Sequence, residues 1–238
     1  MSSASSEEHP PALEAEDQPL LGRPGGATQA EGVGVQHNLI TGSAIVAQAG
    51  VWILVALVWS AVLSKNLVFF SAHPLLNSAA VLLQVQAILT LQPTHTPRQK
   101  TLGTRVHAGL HALSSLGFVA ALVVVEISKK GHPRLASPHA VLGVVTYVGL
   151  ALQALVGVVQ YFLPAQLLGS VDRGRSIYRY HRLGGYVLLL LELATVSAAT
   201  QTVYNAAVLH IRLWAVLLAS ILVVLGVAAR IKKRKLGL

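Results

Sequence analysis

Cysteine is absent from the 238 residues, so no disulfide framework and no thiolate-ligated zinc or iron–sulfur centre can form. Charge is scarce as well. Asp, Glu, Lys and Arg make up 11% of the chain, against about 25% in a soluble domain. After residue 36 only Glu126, Asp172 and Glu192 are acidic, against 17 Lys and Arg. Aromatics are 5%, and no basic helix stands clear of apolar runs. That combination argues against nucleic acid as a partner despite the net charge of +9. What fills the chain is apolar, at 53%, so water is not its main solvent.

Residues 1–36 are different. They hold six acids (Glu7, Glu8, Glu14, Glu16, Asp17, Glu31), one base (Arg23) and many Ser, Pro and Gly. With no apolar periodicity, such a segment cannot bury enough surface to offset its ordering entropy and reads as a disordered acidic cytosolic tail. It opens without an apolar run and does not read as a signal peptide. Its Glu16-Asp17-Gln18-Pro19-Leu20-Leu21 resembles an acidic dileucine sorting signal, which favours an endosomal, vacuolar or other organelle membrane over the plasma membrane.

Residues 37–238 alternate long apolar stretches with short polar breaks. A membrane span needs about 20 apolar residues, and six stretches qualify: 40–63, 72–92, 106–126, 139–162, 182–204 and 211–230. Six soluble helices of this length without a polar face would be anomalous. The fold class is therefore an all-α membrane protein of six transmembrane helices. Lys and Arg then set the orientation. The tails and the second and fourth breaks carry 13 of them and the other side 5, which places both termini in the cytosol.

The chemistry sits in five of the ten histidines. His73 opens the second stretch (Ser71-Ala72-His73-Pro74) and His139 the fourth (Ser137-Pro138-His139). His107 and His111 lie in the first turns of the third, and His181 opens the fifth. Helices two and four start on the non-cytosolic side, three and five on the cytosolic side. Hence His73 matches His139 in depth, and His107 matches His181. Two histidines at equal depth on different helices can bind one haem iron from both faces. Two such pairs across a core about 30 Å thick would set two irons roughly 15–20 Å apart. His111, one turn deeper, is the alternative to His107. A metal transporter would gather its ligands near the midplane instead. Gly109, Gly143, Gly184 and Gly185 lie within a turn of these histidines and could admit a flat macrocycle or serve close helix packing. Ser71-x-His73 recurs as Ser137-x-His139, each followed one helix later by a second histidine, so helices two–three and four–five read as parallel copies flanked by one and six.

In these residues (His73-Pro74, His107, Ser137-Pro138-His139 and His181, at gaps of 34, 32 and 42) the chain resembles the cytochrome b561 family over about residues 38–235. The resemblance implies a central four-helix bundle holding two haems b per chain, ligated by His73 with His139 and His107 with His181. It implies a transmembrane oxidoreductase, commonly a homodimer, that passes electrons from cytosolic ascorbate to monodehydroascorbate or ferric iron on the other side. Members with well-defined ascorbate sites carry Lys before the helix-three histidine, where this chain has Lys100, Thr104 and Arg105; their Ser-Leu-His-Ser-Trp becomes Ser137-Pro138-His139-Ala140-Val141. The chain looks closer to the short, stand-alone members.

Charge complementarity nominates the substrate sites. Ascorbate is a monoanion, and Lys100, Arg105, Arg173, Arg175 and Arg182 lie on the cytosolic side, although positive-inside bias alone would put cations there. On the far side Lys129, Lys130 and His132 stand beside the start of the His139 helix. Glu192 falls near the middle of helix five, where a carboxyl is costly and often functional. Gln84, Gln86, Gln153 and Gln160 read as interhelical hydrogen-bonders. Two rivals use the same residues: a non-redox transporter of metal ions or protons, and a structural membrane protein with incidental histidines.

Overall fold

Six apolar stretches become six long helices in the computed structural model, which describes Pro19 and residues 21–237. They are α1 (Ala44–Leu63), α2 (Ala72–Leu91), α3 (Pro97–Ser128), α4 (Pro138–Phe162), α5 (Tyr178–Ala199) and α6 (Leu213–Ala228), and no strand occurs among the described residues. The first five are long and apolar enough to cross a membrane. At 16 residues, α6 spans only about 24 Å. It starts two residues later than the apolar run and ends two earlier, because a turn at 205–212 and Arg230 take up its flanks.

Three helices, α3, α4 and α5, start earlier than their apolar runs. In α3 the polar first turns stay helical because Thr96 and Gln99 form a reciprocal capping box and Pro97 takes the first position, where no N–H is needed. In α4, Ser137 accepts from the Ala140 N–H and Pro138 again leads. Short helices Pro164–Leu168 and Val171–Ser176 bridge α4 to α5.

Small residues set the tightest contact. A Cβ on Gly50 would fall 2.6 Å from the Ala219 carbonyl oxygen, and one on Gly226 would fall 2.7 Å from that of Ser43. This lets α1 and α6 approach backbone to backbone, and the Ser43 hydroxyl donates to Gly226 O at 2.9 Å. Helices one and six thus pack on each other as well as flanking the rest. The core they build (Ala47, Val51, Leu54, Ala219, Val223) continues into Val85 and Leu89 of α2 and Leu189 and Leu193 of α5. By contrast α4 buries only Thr146 and Gln160 and turns Val144, Val148, Leu152 and Leu155 outward.

The described segments before α1 and after α6 close the same end of the bundle. Arg230 is buried, and its guanidinium donates to Asn38 O at 2.9 Å and Leu89 O at 3.2 Å. The Asn38 amide donates to Thr90 O at 2.8 Å and Gln29 Oε1 at 2.9 Å, and the N–H groups of Gly25 and Gln29 reach Ala229 O and Pro93 O. The sequence reads all of 1–36 as disordered, but from Gly25 onward the segment is tied to the bundle by these bonds. Of the dileucine-like motif only Pro19 and Leu21 fall within the described residues.

Candidate functional site: two histidine clusters at opposite ends of α2–α5

His73 and His139 come together. Their ring centroids are 6.3 Å apart and the planes are nearly perpendicular, at 86°. An imidazole nitrogen bonds a transition metal at about 2 Å with its ring centre about 1 Å behind, so two rings on opposite faces of one ion stand roughly 6 Å apart. The pair has that spacing. At the other end His107 and His111 stack edge-on at 4.4 Å, and His181 lies beside both.

Backbone carbonyls orient the rings. His73 Nδ1 donates to Ala121 O at 3.0 Å, His107 Nδ1 to Ala87 O at 3.0 Å, and His139 Nδ1 to Thr195 O at 2.9 Å. A metal-bound histidine commonly fixes its second nitrogen this way, leaving Nε2 free for the metal. His111 has no such bond among the described residues, which separates it from His107. The acceptors also share a register. Ala87 lies fourteen residues after His73, Ala121 fourteen after His107 and Thr195 fourteen after His181. Fourteen residues of helix span about 21 Å, the separation of the two histidine levels. Gln153 lies fourteen after His139, but here the pattern breaks. His181 Nδ1 is buried without a partner, while the Gln153 side-chain amide donates to His181 O.

The surroundings suit a flat ligand at the His139 level. Gly143 sits one turn after His139 on the same face, and a Cβ there would meet only Thr195 Cγ2 at 3.9 Å. Gly157, five turns after His139, faces His181: a Cβ would stand 3.0 Å from Cε1 and 3.5 Å from Nε2. Gly184 and Gly185 lie against the Gln153 amide instead, and Gly109 points to open space on the side of α3 opposite His107. At the His73/His139 level the donor set fits haem b: two imidazole nitrogens facing each other across a gap of the right width in an apolar bundle.

Side chains missed by the sequence reading tie the pairs to the bundle. Tyr147 of α4 donates to Asn77 Oδ1 at 2.8 Å, and the Asn77 amide donates to His73 O at 2.8 Å. Tyr147 also meets Phe118 of α3 edge-on at 5.9 Å, above Ala80 and Val81, which fills the midplane between the two histidine levels. A lone Asn or Tyr in an apolar run gives no signal of its partner. Gly157 could have been found, since it repeats the His139 face after 18 residues. The glutamines act as expected in part: Gln86 pairs doubly with Gln48 of α1, and Gln84 faces Glu192. Glu192 is 2% exposed, and neither carboxyl oxygen reaches hydrogen-bond geometry. Gln160 Oε1 is buried without a partner.

The cationic candidates divide. Lys100 and Arg182 converge at the His107/His181 end, and the C-terminal segment adds Lys232, Arg234 and Lys235 to them. The Arg182 guanidinium donates to Lys235 O, and Lys235 Nζ to Thr94 O at 3.3 Å. Burial, then repulsion from Lys232, Arg182, Lys100 and Arg234, lowers the Lys235 ammonium to a pKa of about 8; burial chiefly lowers Lys232 too. Arg173 and Arg175 stand apart on the short helix before α5, Arg175 in an exposed ion pair with Asp172 at 3.1 Å. Arg105 is exposed on α3. At the other end Lys129 neighbours both His73 and His139, whereas Lys130 and His132 are exposed in the following loop.

The model of the family described as eukaryotic cytochrome b561 matches residues 72–206. No individual curated protein matches the chain. The matched segment runs from the residue before His73 through both histidine levels and past the end of α5, over more than half of the sequence. The chain belongs to the cytochrome b561 family.

Proposed function

We propose that this chain carries electrons across a membrane through two b haems, one held by His73 and His139 and the other by His107 and His181. Family membership implies transmembrane, haem-dependent electron transfer; the number of haems, the ligands and the substrates are our reading. The observation that carries it is the pair of facing rings at 6.3 Å, with both Nδ1 atoms bonded to backbone carbonyls and both Nε2 atoms left to a metal. The haem supplies a one-electron carrier that needs no proton at the metal. The protein's part is to hold neutral imidazoles in one tautomer, to keep water out with the Phe118–Tyr147 layer, and to present cations at one mouth.

Electrons enter from ascorbate at the cytosolic end, where Lys100 and Arg182 meet with Lys232 and Lys235 and no described carboxylate. They leave to monodehydroascorbate or ferric iron at the His73/His139 end. Both termini face the cytosol, in accord with the 13-to-5 distribution of Lys and Arg, and the protein works as a homodimer in an organelle membrane. Sealed proteoliposomes test this. External ascorbate should reduce both haems, and an acceptor trapped inside should then be reduced. Protein that binds haem but takes no electrons from ascorbate would remove the donor from this reading.

A further inference from the structure

The ends of α5 and α6 on the His73/His139 side are joined by a tightly built turn. A π-turn covers Asn205–Leu209, and His210 closes it in the left-handed region at φ 56°. It is the one non-glycine residue with positive φ among the described residues, a conformation that has an energetic cost and gathers at functional sites. Asn205, buried, fixes the turn. Its amide donates to Thr200 O at 2.8 Å and Ile211 O at 3.0 Å, and its Oδ1 accepts from the Ile211 N–H at 3.0 Å.

That turn frames a cavity of about 370 Å³ lined by Thr200, Gln201, Asn205, His210 and Arg212. Among the described residues Arg212 forms no ion pair with a carboxylate. Of the described acids, Glu126 and Asp172 are already paired with Arg134 and Arg175, Glu192 is buried in mid-helix, and Glu31 lies beside Ala30 at the opposite end of the bundle, where Gln99 bonds the Ala30 carbonyl. The cavity thus offers a cation without an ion-pair partner among the described residues, an imidazole and the Gln201 amide. No group of three His, Asp or Glu able to hold a metal ion occurs among the described residues, so a bare ferric ion has no ligand set here. An aromatic bridge leads from the histidine pair to this cavity. Phe70 stacks on His73 at 5.5 Å and 14°, Tyr204 meets Phe70 edge-on at 4.9 Å, and Tyr204 precedes Asn205.

We infer that this cavity is the electron-acceptor site, that it takes a small organic oxyanion able to accept one electron, and that Phe70 and Tyr204 bridge it to His73. The inference rests on the two-haem reading and locates the acceptor between α5 and α6, away from Lys130 and His132. Arg212 pairs with the anionic oxygen, and His210 and Gln201 bond its hydroxyl or carbonyl groups. For a monodehydroascorbate radical anion, one electron leaves the ferrous centre and one proton enters from solvent at the open mouth, giving the ascorbate monoanion. For a ferric chelate the electron alone converts Fe(III) to Fe(II). In both cases the centre returns to ferric.

The test uses the haem-loaded full chain, reduced beforehand and mixed with three acceptors: monodehydroascorbate, ferric citrate, and the cation hexaammineruthenium(III). Arg212→Gln should raise the half-saturating concentration of the two anions about tenfold, as for one lost charge-assisted contact, and leave hexaammineruthenium unchanged. His210→Gly keeps the turn, because glycine accepts positive φ, and should weaken the same two acceptors. Equilibrium dialysis of citrate against the chain should show the same loss without turnover, at unchanged haem content. An effect of Arg212→Gln on only one anion identifies the natural acceptor class and supports the site. Phe70→Leu and Tyr204→Leu should slow transfer at saturating acceptor. If Arg212→Gln and His210→Gly match the parent while Lys129→Gln/Lys130→Gln weakens the anions, the acceptor binds at the α3–α4 loop and the inference fails. A parent chain that reduces none of the three acceptors would overturn the electron-transfer reading itself, and the site with it.

Discussion

The α2–α3 and α4–α5 hairpins carry the same histidine plan and are held together differently. In α2–α3 each histidine bonds the other helix's carbonyl, His73 to Ala121 and His107 to Ala87, so the tie is reciprocal. In α4–α5 only His139 does so, to Thr195; His181 Nδ1 has no partner, and Gln153 bonds the His181 carbonyl instead. The midplane differs too. Eleven residues after His107 stands Phe118, packed on Tyr147; eleven after His181 stands Glu192, buried with no hydrogen bond. A duplicated plan sets where the histidines go, and the departures from it show where the two copies differ. The first hairpin is a fixed frame. The second has slack at its His181 level and polar groups in its core.

Removing a ligand is the strongest way to probe that difference. His139→Ala should cost one of two haems outright, while His111→Ala, whose ring has no carbonyl partner, keeps both. Haem per protein in the purified variants measures this, and loss in His111→Ala alone would reassign the cytosolic ligand. The slack level comes next. Gly157→Val would push a side chain into the space of the His181 ring, 3.0 Å from a Cβ at that position, so the cytosolic haem should be lost and the other kept. Retention of both with unchanged potentials would show that His181 is not held there.

The cross-tie between the hairpins should give a smaller effect. Tyr147→Phe removes only the hydroxyl that holds Asn77 beside His73. Partners of this kind are worth roughly 10–100-fold in metal-site affinity. The non-cytosolic haem should therefore pass more readily to apomyoglobin, the cytosolic one serving as an internal control. Asn77→Ala in the same chain should add little, as two residues of one network are not additive. Full additivity would mean that they act separately.

Donor binding comes fourth, and it carries a pH dependence. In the folded chain Lys235 gives up its proton near pH 8, while a free lysine keeps it to about 10.5. Across that window the unfolded chain holds more protons, so stability rises with pH, and the anion site loses a charge over the same rise. The ascorbate concentration for half-reduction should increase as pH passes 8, and Lys235→Gln should flatten that increase. Neutralising Lys100 and Arg182 together should raise it about tenfold at low salt without changing haem content. The smallest effect belongs to the midplane. Glu192→Leu replaces an unpartnered buried carboxyl and should stabilise the detergent-solubilised protein by about 1–3 kcal/mol. A loss of stability would show that the carboxyl is used.

The sequence made the four histidines and the helix plan legible because each of these histidines opens or nearly opens an apolar run, and helix direction turns order into depth. It did not show Ala87, Ala121 or Thr195, since they act through backbone carbonyls that carry no side-chain signature. Lys232 and Lys235 read as a generic basic tail until Arg230, fixed on Asn38 and Leu89, brings the tail back across the bundle. The docked segment from Gly25 was hidden for a related reason. It buries Gln29 and Asn38 rather than apolar groups, and composition alone reads such a stretch as unable to fold. Arg212 and His210 were visible only as a boundary, and the left-handed turn that makes them converge is set by Asn205.

Two centres at opposite ends of one bundle are tested most directly by the ratio of haem to protein in the purified parent chain, with the reduced spectrum recorded on the same sample. The four paired histidines predict two b haems per chain, both low-spin and six-coordinate in the oxidised and reduced states. One haem per chain, or a five-coordinate spectrum that binds carbon monoxide readily, would contradict the pairing.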